Sequence, residues 1–377
     1  MDFELSEEQV LLKDSVDRFV QNNYGPEDRL KLSQTELGFS REHWKQMAEL
    51  GWLGMAFSEE VGGFGGGAVE VMIMMESMGR GLVLEPFVST VLLGGTLVAE
   101  AGNNEQIESV IPSVIEGETM LAFAYAEQQA RFNLNDIETT ATKSGDNYIL
   151  NGTKIVVYHG ATADKIVVSA RTSGNSRDAD GISLFLVDKD AAGLDIRGYA
   201  TVDGQRAADI RFDNVSVPSS ALLGEEGKAA PFIERVVDRA IGALCAEAVG
   251  AMSAANEITN EYLKTRSQFG VPIGKFQVLQ HRMVDMYMEA EQSKSMSDMV
   301  AMKLDLGHDD DTRKAVSAAK AQIGKSAKFV GQQSVQLHGG MGMTDEYSIG
   351  HYFKRLTTIE MLFGNTDFHL DRFSSLS

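Results

Sequence analysis

YILNGTKIVVY, residues 148–158, sets two strand-like apolar runs on either side of Asn151-Gly152, in a zone where the hydrophobic period changes to two. Period-two alternation marks a strand with one buried face. Asn-Gly between two such runs is a strong hairpin signal, because both residues tolerate positive φ; the pattern predicts two strands with the turn at 151–152. KIVVSA (165–170), GISLFLVD (181–188) and ADIRFDNVSVP (208–218) read as further strands, with the polar loop RTSGNSRDAD (171–180) between the first two. No helical pattern separates them, so a parallel βαβ sheet is not expected.

On both sides of this zone the period becomes helical. From Leu5 to about Gly117, apolar residues recur at three- and four-residue spacing (Val10, Leu11, Val16, Phe19, Val20; then Trp44, Met47, Leu50). Ser6 before Glu7-Glu8 predicts a capped first helix with an acidic first turn. Val69–Met78 is a second, methionine-rich helical segment, and from about Ala230 long helices return, interrupted at GHDDDT (307–312) and Gly339-Gly340. The expected fold is α+β and multidomain: a helical domain over 1–118, a β-barrel-like domain over 119–228 and a helical bundle over 229–377.

The 377 residues are ample for such cores. A formal net charge of −20 argues against nucleic acid or an anionic membrane surface as the main partner. Cys245 is the sole cysteine, so intramolecular disulfides and cysteine-cluster metal sites are excluded. MDFELSEEQV lacks the basic and apolar regions of a signal peptide, and no stretch has the roughly 20 apolar residues of a membrane span. A reducing cytoplasm is the expected compartment.

Three stretches and the histidines invite chemistry. GGFGGGA (62–68) follows no strand and lacks a Lys-Ser/Thr ending, so a flexible connection between helices fits better than a phosphate loop. The seven histidines show no metal-type grouping; His338, beside two glycines, is placed to approach a ligand or simply to pack. RSQFGVPIGKFQVLQ (266–280) joins a guanidinium, two phenylalanines and two amides around a Gly-Pro-Gly-containing turn, suited to phosphate and adenine or equally to a helical hairpin with core aromatics. SVQLHGGMGMTDEY (334–347) offers paired glycines for close backbone approach and Gln336 as a donor, or a kinked helix end.

ALCAEAVGAM (243–252) raises a different question. Glu247 is the only charge between Arg239 and Glu257. At two-turn spacing its helical face reads Ala240, Ala243, Leu244, Glu247, Gly250, Ala251, Ala254, nearly all small. Close packing or room for a ligand would explain the small residues. Close packing alone would leave a buried carboxylate uncompensated, at several kcal/mol.

Taken together, WKQMAELGWLGMAFSEEVGG (44–63), GDNYILNGTKIVV (145–157), DGQRAADIRFDNVSVP (203–218), RSQFGVPIGKFQ and QLHGGMGMTDEY resemble, in order, segments of the acyl-CoA dehydrogenase family along nearly the whole chain. An atypical bacterial branch acting on steroid side-chain or dicarboxylyl-CoA esters is the nearer likeness, including its FGNTDFH ending. The resemblance implies an N-terminal helical domain, a β-barrel-like middle domain and a C-terminal four-helix bundle, with FAD between the last two. It implies that Arg266, Phe269 and Gln277 reach the adenosine-diphosphate part of a neighbouring subunit's flavin, and that Gln336, Gly339 and Gly340 contact pyrophosphate. An oligomer follows, either of one chain or as an α2β2 assembly with a sister chain. The reaction implied is α,β-dehydrogenation of an acyl-CoA, with electrons passing to electron-transferring flavoprotein.

Two departures stand out. The family's usual base, some 27 residues beyond the glutamine of QxxGG, falls here on Phe363, or on Gly364 with one residue of slippage. The alternative site on an earlier helix, as in isovaleryl-type members, falls on Ala240, seven residues before Glu247. Glu247 is therefore the expected base, Asp367 its rival, and pairing of Glu247 with an Arg or Lys the structural alternative. The family's flavin loop is represented by AEQQARFNLN (126–135), keeping only Glu127, and its Trp-Ile-Thr strand by Val156-Val157-Tyr158. Tyr125 and Tyr158 are the candidate replacements for the ring contacts. A half-site subunit, or a flavin oxidase or monooxygenase of the same fold, are the competing readings.

Overall fold

Ser6 caps the first helix as its sequence predicts: its hydroxyl accepts from the Gln9 backbone while the Gln9 side chain returns to the Ser6 N–H. The computed structural model describes residues 5–376. Six helices precede the strands: α1 (Glu7–Asn23), α2 (Pro26–Ser33), α3 (Arg41–Glu49), α4 (Ala68–Gly81), α5 (Thr96–Ala101, entered through a π-helical stretch Val88–Gly95) and α6 (Asn104–Ile115). Eight strands follow: β1 (Leu121–Ala124), β2 (Thr140–Ser144), β3 (Asn147–Tyr158), β4 (Lys165–Arg171), β5 (Ile182–Asp188), β6 (Leu194–Ala200), β7 (Arg206–Pro218) and β8 (Leu222–Leu223). The chain then forms α7 (Ala230–Thr265), a short hairpin of β9 (Ser267–Gln268) and β10 (Val271–Pro272), α8 (Gln277–Leu306), α9 (Asp310–His338), α10 (Ile349–Met361) and α11 (Thr366–Ser375).

Contacts group the chain into two units: one of the residues up to Gln34, Gly67–Val83 and Ile241 onward, the other of Thr35–Gly66 and Leu84–Ala240. The second unit is built on the sheet, in the order β6-β7-β3-β2-β4-β5-β8, with β1 alongside β4. Its long ladders are antiparallel; β1 pairs β4 in parallel, and β2 touches β4 in parallel at a single residue pair. The sheet is open rather than closed into the expected barrel: β6 and β8 end it without pairing to each other. β3 and β7 bury alternate residues (Tyr148, Leu150, Val157; Phe212, Val215, Val217), which pack with Ile166, Val168 and Phe185 into one core. Burying a side chain such as Phe185 contributes about 1.5–3 kcal/mol.

The Asn-Gly expectation is corrected. β3 runs unbroken through 151–152, and the turn lies at Gly145-Asp146, between Ser144 and its partner Asn147. Gly152 instead sits in a bulge against β7, at φ 151°. A Cβ there would lie 2.5 Å from the Thr139 hydroxyl, so the glycine serves close approach rather than reversal. GGFGGGA is corrected likewise. Gly63, Phe64 and Gly65 donate their N–H groups to Ser58, Gly54 and Phe57, and a Cβ on Gly63 would lie 2.1 Å from the Phe57 carbonyl. These glycines permit packing and do not confer slack.

A buried ion pair lies inside the sheet unit. Lys154 of β3 is fully buried, its ammonium donating to Glu127 at 2.7 Å, to the Ser169 hydroxyl at 3.1 Å and to the Tyr125 carbonyl at 3.2 Å. Glu127 also accepts from Gln129 and from the Glu138 and Thr139 backbones, tying residues 127–139 to the sheet. Burial lowers the Lys154 ammonium to about 8 despite Glu127. Burial alone would raise the Glu127 carboxyl, yet Lys154 and the other donors hold it below its ordinary range.

Candidate functional site

α7 owes its length to residues 240–256, where alanine dominates and no proline or β-branched run interrupts the helix. From Ile241 its apolar face is buried almost continuously to Asn256. The small residues have a steric cause. A Cβ at Gly250 would lie 1.9 Å from the Glu76 carbonyl of α4, and one at Gly79 of α4 would lie 2.1 Å from the Glu247 carbonyl. The two helices cross backbone to backbone through these glycines.

Glu247 itself is 3% exposed and compensated. Arg355 of α10, 5% exposed, donates through Nε to Oε1 at 2.6 Å and through Nη2 to Oε2 at 2.7 Å. This is the bidentate pairing in which guanidinium and carboxylate match best. The premise that close packing would strand the carboxylate is therefore overturned, because α10 supplies the missing cation. Both carboxylate oxygens are engaged, the arrangement of a fixed anion. Asp367 is exposed in the first turn of α11, where a carboxylate offsets the helix dipole.

The turn where the usual base would stand is tightly held. Phe363 and Gly364 both have positive φ, 56° and 121°, unusual for a bulky side chain. Lys320 of α9, 1% exposed, reaches across it and donates to the Glu360 carbonyl at 2.9 Å and the Gly364 carbonyl at 2.7 Å. Burial lowers this ammonium to about 8.

A second group of residues lies at the other end of the bundle. Arg266 donates its N–H to the Tyr262 carbonyl at the end of α7, and β9–β10 carry Phe269 at their tip with φ 55° and 90% of its surface exposed. Phe276 meets it edge-on, with ring centroids 6.1 Å apart. Arg266 and Gln277 are exposed. Tyr262 stacks near His338, centroids 4.3 Å apart, and so brings the end of α7 to Gln336, Gly339 and Gly340 at the end of α9. Cβ atoms on Gly339 or Gly340 would meet nothing within 4 Å. His338 directs Nδ1 to the Ser334 carbonyl at 2.8 Å, and burial holds its imidazole below the usual range, so Nδ1 carries the proton. Its buried Nε2 has no hydrogen-bond partner among the described residues.

An exposed guanidinium at the base of a hairpin, an exposed aromatic at its tip and an open glycine pair reached through Tyr262 and His338 fit an anionic group carrying an adenine. Fifteen residues of helix separate Tyr262 from Glu247, about 22 Å. Glu247 thus belongs with Arg355, and its neighbour Cys245 with Lys320, rather than with the hairpin. In the sheet unit Tyr125 stacks on Phe123 at 5.3 Å, and Tyr158 ends β3 opposite Ala207, half-buried. Sequence reasoning missed Arg355 and Lys320, which carry no local pattern; His338 was visible by its place beside two glycines.

Three family models match the chain in order: acyl-CoA dehydrogenase N-terminal domain over 6–118, middle domain over 122–215 and C-terminal domain over 234–374. The chain belongs to the acyl-CoA dehydrogenase family. A short-chain-specific acyl-CoA dehydrogenase of Clostridium acetobutylicum is 30% identical, with 97% of each chain covered. Among solved structures, a variant of the Tcur3481–Tcur3483 steroid ACAD is 30% identical with a TM-score of 0.88, covering 98% of this chain and 97% of the other. The ChsE4–ChsE5 complex from Mycobacterium tuberculosis is 25% identical with a TM-score of 0.89, covering 100% and 98%. As an acyl-CoA dehydrogenase the chain is an oxidoreductase acting on acyl-CoA. No described helix is long and apolar enough to cross a membrane.

Proposed function

We propose that this acyl-CoA dehydrogenase performs FAD-dependent α,β-dehydrogenation of an acyl-CoA thioester to the trans-2-enoyl-CoA and passes its electrons to electron-transferring flavoprotein. FAD is the family's cofactor. The observation that carries the reading is the stacking of Tyr262 on His338, which joins the segment leading to the exposed Phe269 to the open Gly339-Gly340 at the end of α9.

When bound, FAD supplies the acceptor for the β-hydride. Arg266, Phe269 and Gln277 would hold the adenosine-diphosphate part of a neighbouring subunit's flavin, and Gln336, Gly339 and Gly340 its pyrophosphate. The α-proton needs an acceptor, and a backbone donor at the thioester oxygen makes that proton acidic enough to remove. Glu247 is the proposed acceptor and Asp367 its rival. An acceptor at Glu247 would take the proton on an oxygen that Arg355 now holds. The division into 1–118, 119–228 and 229–377 is kept as part of this reading, as is an oligomeric state.

The engaged Glu247 favours a second reading: this chain is a half-site subunit of an α2β2 assembly. Native mass and a flavin spectrum separate the two. A yellow homo-oligomer bleached anaerobically by an acyl-CoA supports the first, with bleaching lost in Glu247→Gln and kept in Asp367→Asn. Undiminished bleaching in Glu247→Gln would remove Glu247 from the role. A colourless protein that gains flavin only with a sister chain supports the second.

A further inference from the structure

The Phe363–Gly364 turn is strained and over-determined. A phenylalanine at φ 56° costs of order 1–3 kcal/mol and persists only where the surroundings enforce it. Four contacts do so. Lys320 bridges the Glu360 and Gly364 carbonyls, and His369 Nε2 lies 3.1 Å from the Phe363 carbonyl. The Asn365 side chain caps α11 by accepting from Phe368 N–H, and the Glu360 carboxylate accepts from Thr366 N–H at 3.1 Å. Gly364 is confined as well, since a Cβ there would lie 2.4 Å from the Phe368 ring. Gly364 is buried, yet its N–H has no hydrogen-bond partner among the described residues. Orphaned buried N–H groups are rare, and this one lies within the strained turn.

We propose that Lys320 is a positioning residue, whose ammonium bridges two carbonyls across the turn and so fixes the direction in which the Gly364 N–H is presented to the acyl thioester. The inference rests on the acyl-CoA reading for the identity of the ligand, but not for the clamp. A lysine spent on two main-chain carbonyls with 1% exposure is costly unless the backbone it holds has a task. The titratable groups nearest it are Cys245 of α7, whose thiol burial pushes up to about 12, and Glu360 of α10. His369 of α11 lies across the turn, and Glu289 of α8 faces α9 at Ser326, farther along the helix.

The test reads the turn directly. The sequence holds three Phe-Gly bonds, 64–65, 269–270 and 363–364, so labelling the phenylalanine carbonyl with 13C and the glycine amide with 15N isolates three resonances. In the purified full-length protein the 363–364 resonance should titrate with a midpoint near pH 8 and shift in Lys320→Met, while the other two act as references. With an acyl-CoA that bleaches the wild type, Lys320→Met should slow flavin reduction by about ten- to a hundredfold with ligand affinity little changed, as expected for lost orientation. A 363–364 resonance that coincides with the wild type in Lys320→Met, or in Lys320→Arg where the methionine variant does not fold, overturns the clamp. An unchanged bleaching rate in a variant whose resonance has moved overturns the positioning role. If no acyl-CoA bleaches the wild type while the resonance titrates as expected, the dehydrogenase reading fails and the clamp stands.

Discussion

At the scale of single residues, the Glu247–Arg355 pair has a measurable consequence. Removing one member of a buried ion pair strands the other, at about 3–5 kcal/mol, whereas removing both is far cheaper. Arg355→Met should therefore lower the thermal midpoint sharply, and the double variant Glu247→Leu/Arg355→Met should recover most of the loss. A double variant no better than the single one would mean the pair is not the source of the effect. Gly340 separates folding from ligand binding: its Cβ would meet open space, so Gly340→Ala should leave the unfolding free energy within about 0.5 kcal/mol of wild type. If the pyrophosphate lies there, the same variant should retain less flavin through gel filtration.

At the scale of elements, the α4–α7 crossing depends on the absence of two side chains. Gly250→Ala would place a methyl 1.9 Å from a backbone carbonyl, which a rotamer change cannot relieve. Separation of the helices should cost about 1–3 kcal/mol or more, read as a drop in denaturation midpoint. Gly152→Ala should behave similarly in the sheet, where the Thr139 backbone leaves no room. These glycines explain why the sequence pattern misled at two places. Asn151-Gly152 and GGFGGGA both look like chain reversals or slack, since glycine permits both. Only the neighbours across the sheet, or on the opposing segment, reveal that its purpose is proximity.

At the scale of the molecule, stability should carry a pH signature from its two buried lysines. Lys154 and Lys320 are each lowered to about 8 from 10.5, so above pH 8 the folded protein releases protons that the unfolded chain still binds. Stability must rise with pH in that window. Cys245, raised from 9.0 to about 12, acts in the opposite sense above pH 9. The gain should thus be steepest at about pH 8–9 in urea titrations and shallower above pH 9, and Lys320→Met should remove part of it. A midpoint that falls steadily from pH 7.5 to 9 would contradict this. Phe269, 90% exposed, contributes little to the fold of a single chain. Phe269→Ser should leave the far-ultraviolet spectrum intact while weakening flavin retention in the oligomer.

The sequence by itself determined the order of helical and strand zones, the Ser6 cap, the break after His338 and the ordered motifs of an acyl-CoA dehydrogenase. Each is written in local periodicity or in contiguous residues. It also marked Glu247 as unusual, because one charge in an alanine-rich helix is visible without a fold. What the carboxylate is paired with was decided by tertiary structure, since Arg355 lies 108 residues away and belongs to no pattern. The same holds for the open edges of the sheet, the glycine contacts and the Lys320 clamp. Ion pairs and backbone approaches between distant elements depend on where helices cross, and no local spacing encodes that.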